Sequence, residues 1–426
     1  MRQSQLFTKT RKEAPSDETA KNAALLIRAG FIHKEMAGVY SFLPLGLRVM
    51  QKVIGIIRDE MNTLGGVELH LAALQDPRVW EASGRWSDDA VDNWFKTKVR
   101  VGGEAGLAFT HEEPLTRIMT AHIRSYKDLP VAAYQFQTKF RNETRAKNGI
   151  LRTREFLMKD LYSFSRDEAE HVVFYERAIA AYKRIFNRVG IGGHTYLTYA
   201  SGGSFCKFSH EFQTVSEAGE DVIYVSEGDC GKGLAMEKGR AAINKEIWTE
   251  DVKKDLGLQG DFEEKKTVEV GNIFTLGTRF SEALGLSYLD EKGASHPVFM
   301  GSYGIGPGRL MGTVVELLSD DRGLVWPESI APFRVHLISL ATGGRSVKTA
   351  TDELYEKFSQ KGAEVLYDDR DLRPGEKFAD ADLIGIPTRV VVSEKTLAQG
   401  KLEVKIRKTG EVNMLSESEF LKTVPS

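Results

Sequence analysis

Cysteine is almost absent from this sequence. Only two of the 426 residues are cysteines, Cys206 and Cys230, and no CxxC pair occurs. A disulfide framework and a cysteine-built zinc site both need more thiols at closer spacing. The sequence therefore argues against the small disulfide-stabilised and zinc-finger classes of protein.

Long hydrophobic runs and a large excess of charge are also lacking. The N-terminus has no apolar stretch of the signal-peptide kind, and no run approaches the length of a membrane span. The net charge is only −2, so a polyanionic partner would have to be held by local clusters of charge. We expect a cytoplasmic protein with no membrane contact.

The length and a change of pattern predict two domains, 1–330 and 331–426. Pro327 and Pro332 punctuate the predicted linker between them. After the linker, strands and helices alternate as in a small α/β domain.

The first domain shows clear periodic segments. Apolar residues at three- and four-residue spacing predict helices over 45–61 and 168–189, and a helix start at 15–17 predicts another up to residue 27. The stretch VELHLAAL reads as a strand, whereas residues 221–266 give no clear pattern.

A glycine-rich stretch, GSYGIGPGRLMGTVVE, runs from residue 301 into a helix predicted at 310–318. The dinucleotide-binding fingerprint needs a third glycine where Arg309 stands, and no Gly-Lys-Ser/Thr follows as a P-loop requires. The remaining pattern places a cation in the first helical turn. It leaves two interpretations, namely a site for a highly charged anion or a tight strand-to-helix turn.

Two strands joined by a polar turn are predicted from PVAAYQFQTKFRNE, TRAKNG and REFLMKDLYSF. Arginines on adjacent strands form a floor on which a polyphosphate can lie, although a solvated sheet face is the alternative. Arg152 precedes Phe156 by four positions, so both side chains share one face and suit a phosphate beside a stacked base. The basic residues of this hairpin are Lys139, Arg141, Arg145, Lys147, Arg152, Arg154 and Lys159.

The hairpin pattern FRNE…LRTREF and the segment GSYGIGPGR resemble motifs 2 and 3 of the class II aminoacyl-tRNA synthetases. Within that class, VWEASGRW, THEEPLT, SHEFQTVSEAGED, VEVGNIFTLGTRFSEALG and the C-terminal DDRDLRPGEKFADADLIGIP resemble the prolyl-tRNA synthetases. The resemblance covers nearly the whole chain outside 225–266. It implies an α+β catalytic domain with an antiparallel sheet and a C-terminal α/β anticodon-binding domain. It also implies ATP and L-proline as substrates, Mg²⁺ as cofactor, tRNA(Pro) as partner and a homodimer.

The resemblance implies an ATP site around the hairpin. Arg141 would contact the α-phosphate and the amino-acid carboxylate, Glu143 the adenine amino group, and Arg152 the outer phosphates. Phe156 would stack on adenine, and Arg309 would hold the γ-phosphate. Catalysis would rest on alignment and charge stabilisation, with no obligatory general acid or base. The remaining implied ATP positions are Thr153, Glu269 and Asn272, with Glu269 also the candidate Mg²⁺ ligand.

The resemblance also implies a proline pocket. Thr110 and Glu112 would bind the substrate amine, and a carboxylate suits a secondary ammonium with two N–H donors. A helix cap is the alternative for Thr110, and a buried structural histidine is the alternative for His210. The other implied proline-binding residues are Arg141, Met158, Asp160, Tyr162, Phe274 and His210.

The sequence departs from the family pattern at several places. Ala72 stands where a motif 1 proline is usual in the dimer-interface strand, Ala146 and Lys147 follow Arg145 where the loop usually reads Arg-Pro-Arg, and Asn272 replaces a usual histidine. Bacterial-type members often insert an editing domain between motifs 2 and 3, but here the segment 222–267 is too short for one. We expect the enzyme to attach alanine in error and to be unable to remove it.

In the C-terminal domain, Arg370, Arg373 and Lys377 are the candidate contacts with splayed anticodon bases, and a solvated charged loop is the alternative. Two other identities remain open for the chain. One is a sister enzyme for threonine, glycine or histidine, and the other is a non-catalytic paralogue that binds RNA or another partner. The motif arginines favour catalysis, and the lack of an evident Cys/His zinc site argues against the threonine enzyme.

Overall fold

A computed structural model describes residues 1–144, 146–202, 208–227, 236–237, 240–341 and 345–423. Cys206, Cys230 and Arg145 lie outside these ranges. Contacts divide the chain into two compact units, one of residues 1–35, 40–53 and 314–426 and the other of residues 36–39 and 54–313. The predicted domain boundary at residue 330 stays a prediction.

The larger of these units, 36–39 and 54–313, is built on a ten-stranded sheet. Its strands within the described ranges are β1 (Val67–Glu68), β2 (Val131–Phe140), β3 (Glu155–Ser165), β4 (Thr195–Ser201), β5 (Phe208–Val215), β6 (Asp221–Glu227), β7 (Met236–Glu237), β8 (Arg240–Asn244), β9 (Glu263–Gly277) and β10 (Phe299–Ile305). Their order is β5-β4-β8-β6-β9-β10-β3-β2-β1, β7 pairs with β8, and β5 also pairs with β9. The β1–β2 and β8–β4 pairs are parallel and the other pairs are antiparallel.

The other strands of the described chain are short or belong to the C-terminal sheet. They are Ile32–Met36, Val39–Phe42, Leu74–Gln75, Lys96–Lys98, Glu104–Leu107, Ser287–Leu289, Ser295–Pro297, Val335–Ser339, Val365–Asp368, Thr388–Val392, Leu402–Ile406 and Val412–Leu415. The α-helices are Lys21–Arg28, Pro44–Thr63, Pro77–Ala82, Glu112–Met119, Glu168–Arg188, Glu250–Asp255, Arg279–Leu284, Pro307–Leu318, Arg345–Gln360, Pro374–Ile384, Glu394–Ala398 and Glu417–Thr423. None of these helices has the length and hydropathy needed to span a membrane.

The large sheet is buried on both faces near its centre. The helix Glu168–Arg188 packs on one face against β3, β9 and β10, with the side chain of Asp167 capping its first turn. Its buried side chains include Tyr175, Tyr182 and Phe186, which recur at helical spacing. A second apolar cluster contains residues of β3, β10 and the helix Glu112–Met119. Most residues of β2 and β3 are therefore buried, polar ones included.

The C-terminal sheet, in the unit formed by 1–35, 40–53 and 314–426, has five strands. The three strands Val365–Asp368, Val335–Ser339 and Thr388–Val392 are parallel in that order, and the last two strands add antiparallel. The N-terminus joins this unit, because the amino group of Met1 donates to Val365 O at 2.8 Å. The sequence predicts the α/β alternation correctly, but it gives no signal for the N-terminal contact.

Several predicted elements differ in extent. The helix predicted to start at 15–17 begins at Lys21, because Asp17 instead pairs with Lys34 at 2.8 Å and the chain turns there. The predicted strand VELHLAAL is interrupted, since Leu71 N donates to the side chain of Gln135 rather than to a neighbouring strand. The described part of the unassigned segment 221–266 contributes β6, β7, β8 and the first residues of β9 to the large sheet, and it also contains the helix Glu250–Asp255.

Gly385 and Gly410 have almost the same positive φ but differ in how closely other atoms approach them. Comparing alanine substitutions at the two positions therefore distinguishes the cost of a steric clash from the cost of the left-handed conformation. Gly385 (φ 76°) ends the helix Pro374–Ile384, and a Cβ there would lie 2.1 Å from Leu324 O, whereas Gly410 (φ 75°) has nothing within 4 Å. We expect Gly410→Ala to cost about 1–2 kcal/mol for the left-handed conformation. Gly385→Ala should cost about 1–3 kcal/mol more, because the backbone must also move. Urea unfolding of both variants measures the difference, and equal losses would contradict the predicted clash.

Candidate active site

Adjacent positions on four neighbouring strands lie under the site. Gly304 of β10 pairs with Asn272 of β9 and with Asp160 of β3, and Asp160 in turn pairs with Gln135 of β2. A Cβ at Gly304 would lie 2.6 Å from the side chains of Asn272 and Met158, so only glycine lets these side chains approach. This register creates the floor of a cavity.

Two cavities meet on this sheet. The inner cavity, of about 170 Å³, is lined by Arg85, Thr110, Glu112, Lys139, Arg141, Met158, Asp160, Tyr162, Asn272, Phe274, Leu276, Ser302 and Gly304. The outer cavity, of about 220 Å³, is lined by Arg141, Glu143, Asn148, Leu151, Arg152, Ala218, Glu220, Asp221, Thr267, Val268, Glu269 and Arg309. Arg141 lines both.

The carboxylate of Glu112 is oriented by two hydroxyl groups. Thr110 donates to its Oε2 at 2.6 Å, and the Tyr162 hydroxyl, which has one hydrogen to donate, lies 3.2 Å from its Oε1 and 3.1 Å from Oδ2 of Asp160. Glu112 is the first residue of the helix Glu112–Met119, whose N-cap is His111, so Thr110 is not the helix cap. The inner cavity therefore presents an oriented anion beside the apolar side chains of Met158 and Phe274, which suits a small cation with an apolar body.

Beneath Glu112 lies a second buried carboxylate. Oδ2 of Asp160 accepts from Lys139 at 2.9 Å and from Gln135 at 3.0 Å, whereas its buried Oδ1 has no hydrogen-bond partner among the described residues. Lys139 also contacts Nδ1 of His111, and Nε2 of His111 lies 3.1 Å from Ala72 O. Burial, with Lys139 adding to it, lowers the pKa of His111 to about 4, so this histidine is neutral near pH 7.

The outer cavity carries arginines that are held by carboxylates. Arg152 pairs with Glu143 at 2.8 Å and with Glu220 at 2.9 Å. Arg309 lies in the first turn of the helix Pro307–Leu318 and pairs with Glu269 at 3.1 Å. Each guanidinium group is thereby aimed before any ligand arrives. A polyphosphate can replace the carboxylates on these arginines, because guanidinium binds both groups in the same bidentate manner.

Arg141 lies where the two cavities meet. Its guanidinium carbon is 4.9 Å from the ring centroid of Phe109 and 5.4 Å from that of Phe156. Among the described residues, no carboxylate lies within ion-pair distance of Arg141 and its buried Nε has no hydrogen-bond partner. Burial and the nearby Arg309 lower the pKa of Arg141, but an arginine stays charged in proteins. This free cation faces any anion that enters either cavity.

The acidic side chains that line the outer cavity are Glu143, Glu220, Asp221 and Glu269, and Glu211 lies near Glu269 without lining the cavity. Glu269 accepts from Asn272 Nδ2 at 2.8 Å, and the neighbouring Glu211 accepts from Gln213 at 2.8 Å. Burial, with Glu269 adding to it, raises the pKa of Glu211 to about 8, and burial also raises the pKa of Asp221. In the described ranges no three His, Cys, Asp or Glu side chains are grouped to hold a metal ion. This donor set still fits Mg²⁺, which commonly takes one or two protein carboxylates and completes its shell with substrate phosphates and water.

Comparisons with known proteins fit this geometry. Residues 95–317 match the family described as tRNA synthetase class II core domain (G, H, P, S and T), and residues 334–426 match the anticodon binding domain. A proline--tRNA ligase from Agrobacterium fabrum is 38% identical over 96% of this chain and 97% of that protein. The chain belongs to the prolyl-tRNA synthetases. This confirms both the resemblance and the predicted fold class of an α+β core with an α/β anticodon-binding domain, although the core sheet also contains two parallel pairs.

Two further prolyl-tRNA synthetases show how length varies in the family. The enzyme from Geobacillus sp. (strain WCH70) is 34% identical, over 100% of this chain and 99% of that protein. The alignment has 564 positions, so that enzyme carries residues without a counterpart here. A crystal structure from Cryptosporidium parvum, complexed with halofuginone and AMPPNP, has a TM-score of 0.77 at 16% identity and covers 94% of this chain and 75% of that chain.

Most of the predicted prolyl-tRNA synthetase site residues line the two cavities. The outer cavity contains Arg141, Glu143, Arg152, Glu269 and Arg309. The inner cavity contains Thr110, Glu112, Arg141, Met158, Asp160, Tyr162, Phe274 and Asn272, the last of which was predicted near ATP. Their individual roles stay predictions.

Other predicted site residues lie elsewhere. Thr153 and Phe156 line neither cavity, and the ring of Phe156 faces Arg141 rather than Arg152. His210 is buried on the Tyr175 side of the sheet, where Nδ1 lies 2.7 Å from the Tyr175 hydroxyl. Burial lowers its pKa to about 4, so the alternative of a structural histidine fits His210 better than the predicted contact with proline.

The predicted cationic floor is smaller than expected. Lys159 is buried and donates to the Tyr182 hydroxyl and to Tyr303 O, and Lys139 is bound to Asp160. Arg154 donates to the backbone carbonyls of Glu143 and Ala37. Lys139 and Lys159 are buried in the sheet and Arg154 holds the backbone of two loops, so none of the three lines the outer cavity.

The predicted anticodon contacts also differ in exposure. Arg370 is bound to Asp368 at 2.8 Å and to Asp380 at 2.9 Å, and Lys377 is buried and donates to Ser339 O at 2.7 Å. Burial argues against the predicted RNA contact of Lys377. Arg373 is exposed at the start of the helix Pro374–Ile384.

Sequence reasoning missed several cavity residues. Glu220 and Asp221 lie in the quoted SHEFQTVSEAGED segment, and Arg85 lies in VWEASGRW, but a charged residue in such a segment looks like any solvated one. In the sequence, Ser302 and Gly304 appear only as part of a glycine-rich turn. What identifies all of these residues is that they lie close to the hairpin in the folded chain. The pattern of a single sequence does not contain that proximity.

Proposed function

We propose that this chain carries out the ATP-dependent attachment of L-proline to tRNA(Pro) in two steps, of which the first uses ATP to form prolyl-adenylate. The observation that carries this proposal is the position of Arg141, which lines both cavities and has no carboxylate partner among the described residues. A cation there can bind two anions at once, and the first step requires a carboxylate to approach a phosphate despite their like charge. Relatives named proline--tRNA ligase support the choice of reaction.

The outer cavity would take ATP. Arg152 and Arg309 would exchange their carboxylate partners for the outer phosphates, and Arg141 would contact the α-phosphate. Glu269 would hold Mg²⁺ that arrives with the phosphates. A bound Mg²⁺ ion supplies charge neutralisation of the polyphosphate.

The inner cavity would take proline. The secondary ammonium would donate to Glu112 and to the Thr110 hydroxyl, while Phe274 and Met158 would contact the ring. The substrate carboxylate would then lie beside Arg141 and attack the α-phosphorus, so that an oxygen–phosphorus bond forms and pyrophosphate leaves. The chain contributes alignment and fixed positive charge, which stabilise the extra negative charge at the pentacoordinate phosphorus.

The second step transfers proline to RNA. The 3′-terminal adenosine hydroxyl of tRNA(Pro) attacks the prolyl carbonyl carbon, and AMP leaves. The anticodon would be read by the C-terminal domain, where the exposed Arg373 remains a candidate contact. The homodimer and the cytoplasmic location belong to the same proposal.

Amino-acid-dependent exchange of pyrophosphate into ATP tests the substrate. With a panel of amino acids the wild-type chain should exchange with proline far faster than with threonine, glycine or histidine. Exchange with threonine alone would refute the proposed specificity. The absence of exchange with every amino acid would favour a non-catalytic paralogue.

Activation of alanine tests whether the chain can remove an amino acid that it has attached in error. A pocket for three ring methylenes binds a smaller side chain only about 1–3 kcal/mol less well, so alanine should support slow exchange. The purified chain should also accumulate Ala-tRNA(Pro), because the segment 222–267 is too short to hold a separate editing domain. Deacylation is measured on preformed Ala-tRNA(Pro), with the uncatalysed loss in buffer as control. Rapid deacylation by this chain would contradict the prediction.

A further inference from the structure

Arg85 lies at the edge of the inner cavity and has no role in the steps above. Its Nη1 lies 3.0 Å from Oε1 of Glu113 and 3.5 Å from Oε2 of Glu112. A single guanidinium group therefore contacts two successive carboxylates, of which only Glu112 lines the cavity.

The position of Arg85 is set by its surroundings. Its guanidinium carbon lies 5.1 Å from the ring centroid of Trp80 and 5.5 Å from that of Phe280, and its side chain is 17% exposed. Two aromatic rings hold a planar guanidinium with little loss of further freedom when it binds a carboxylate. Arg85 is thus in place before any substrate enters.

Glu113 is the stronger partner of Arg85. Its side chain is fully buried, and its Oε1 also accepts from the Ser83 hydroxyl at 2.8 Å. Burial raises the pKa of Glu113 to about 7, and the charge of Arg85 opposes this rise. A buried carboxylate of this kind depends on its cation, so it keeps the guanidinium close.

The two distances have different consequences for Glu112. A contact of 3.5 Å is longer than a strong charge-assisted hydrogen bond, so Arg85 orients Glu112 without fully pairing with it. If Glu113 did not hold the guanidinium, Arg85 could pair fully with Glu112. The carboxylate would then have less charge to offer to an ammonium group.

We propose that Arg85 and Glu113 are positioning residues for Glu112. Glu113 holds the guanidinium of Arg85, the guanidinium fixes the carboxylate of Glu112, and that carboxylate stays available for the ammonium group of the amino-acid substrate. This inference rests on the proposed function, because it requires the inner cavity to be the site that binds the amino-acid substrate.

The first test compares substrates in pyrophosphate exchange by the full chain. Arg85→Met should raise the KM for proline about 10-fold or more, because a misoriented Glu112 loses its charge-assisted hydrogen bond to the substrate ammonium group. The KM for ATP should change less than about twofold. Arg85→Lys should recover part of the loss, since it keeps the charge without the planar fork. Arg78→Met is the matched control, because the Arg78 side chain is 79% exposed, and both of its KM values should be unchanged.

The double variant Arg85→Met with Glu113→Gln separates positioning from mere neutralisation of a buried charge. Arg85→Met should lower the melting temperature, because it leaves Glu113 buried without its cation. The double variant should restore the melting temperature, while the KM for proline stays raised. Recovery of the KM for proline in the double variant, or an equal rise in the KM for ATP in Arg85→Met, would overturn the inference. Failure of the wild-type chain to exchange with proline would instead overturn the proposed function.

Discussion

Arg141 is a cation without a carboxylate partner in the described part of the chain, held between the rings of Phe109 and Phe156. Withdrawing a charge from water is unfavourable unless another charge compensates it. The aromatic rings offset part of this cost, and the cavities on either side leave the remainder to be offset by bound anions. Under the proposed function, substrate binding and charge neutralisation would therefore be the same event at this residue.

The surrounding sheet fixes the position of Arg141 relative to the two cavities. Arg141 follows the end of β2, and the hairpin partner β3 and the strands β9 and β10 supply the floor of the inner cavity. These strands are covered on both faces, so the cavity walls move little when a ligand binds. Alignment of two anions needs such stiffness, because an error of about 1 Å can cost about 100-fold in rate. The other charged side chains described above as lining the two cavities each have a hydrogen-bond or ion-pair partner before substrate arrives. Arg141 is therefore surrounded by charged side chains that already have partners.

The sequence predicts the elements better than the partners of the side chains. Period-two and helical spacing identified the hairpin and the long helices, because those patterns follow from burial of one face. The resemblance placed Arg141, Glu143, Arg152 and Arg309 around one cavity. It could not show that Lys139 and Lys159 turn inward, since this depends on which face of each strand is covered. The charged sequence around Lys377 likewise does not show that this residue lies on the covered side of the helix Pro374–Ile384.

Binding of each substrate alone to Arg141→Lys tests the central claim most directly. Lysine keeps the positive charge but loses the planar fork that faces both cavities. Calorimetric titration should show weaker binding of both ATP and proline than in the wild-type chain, each measured without the other. Unchanged affinity for either substrate would contradict the shared role of Arg141.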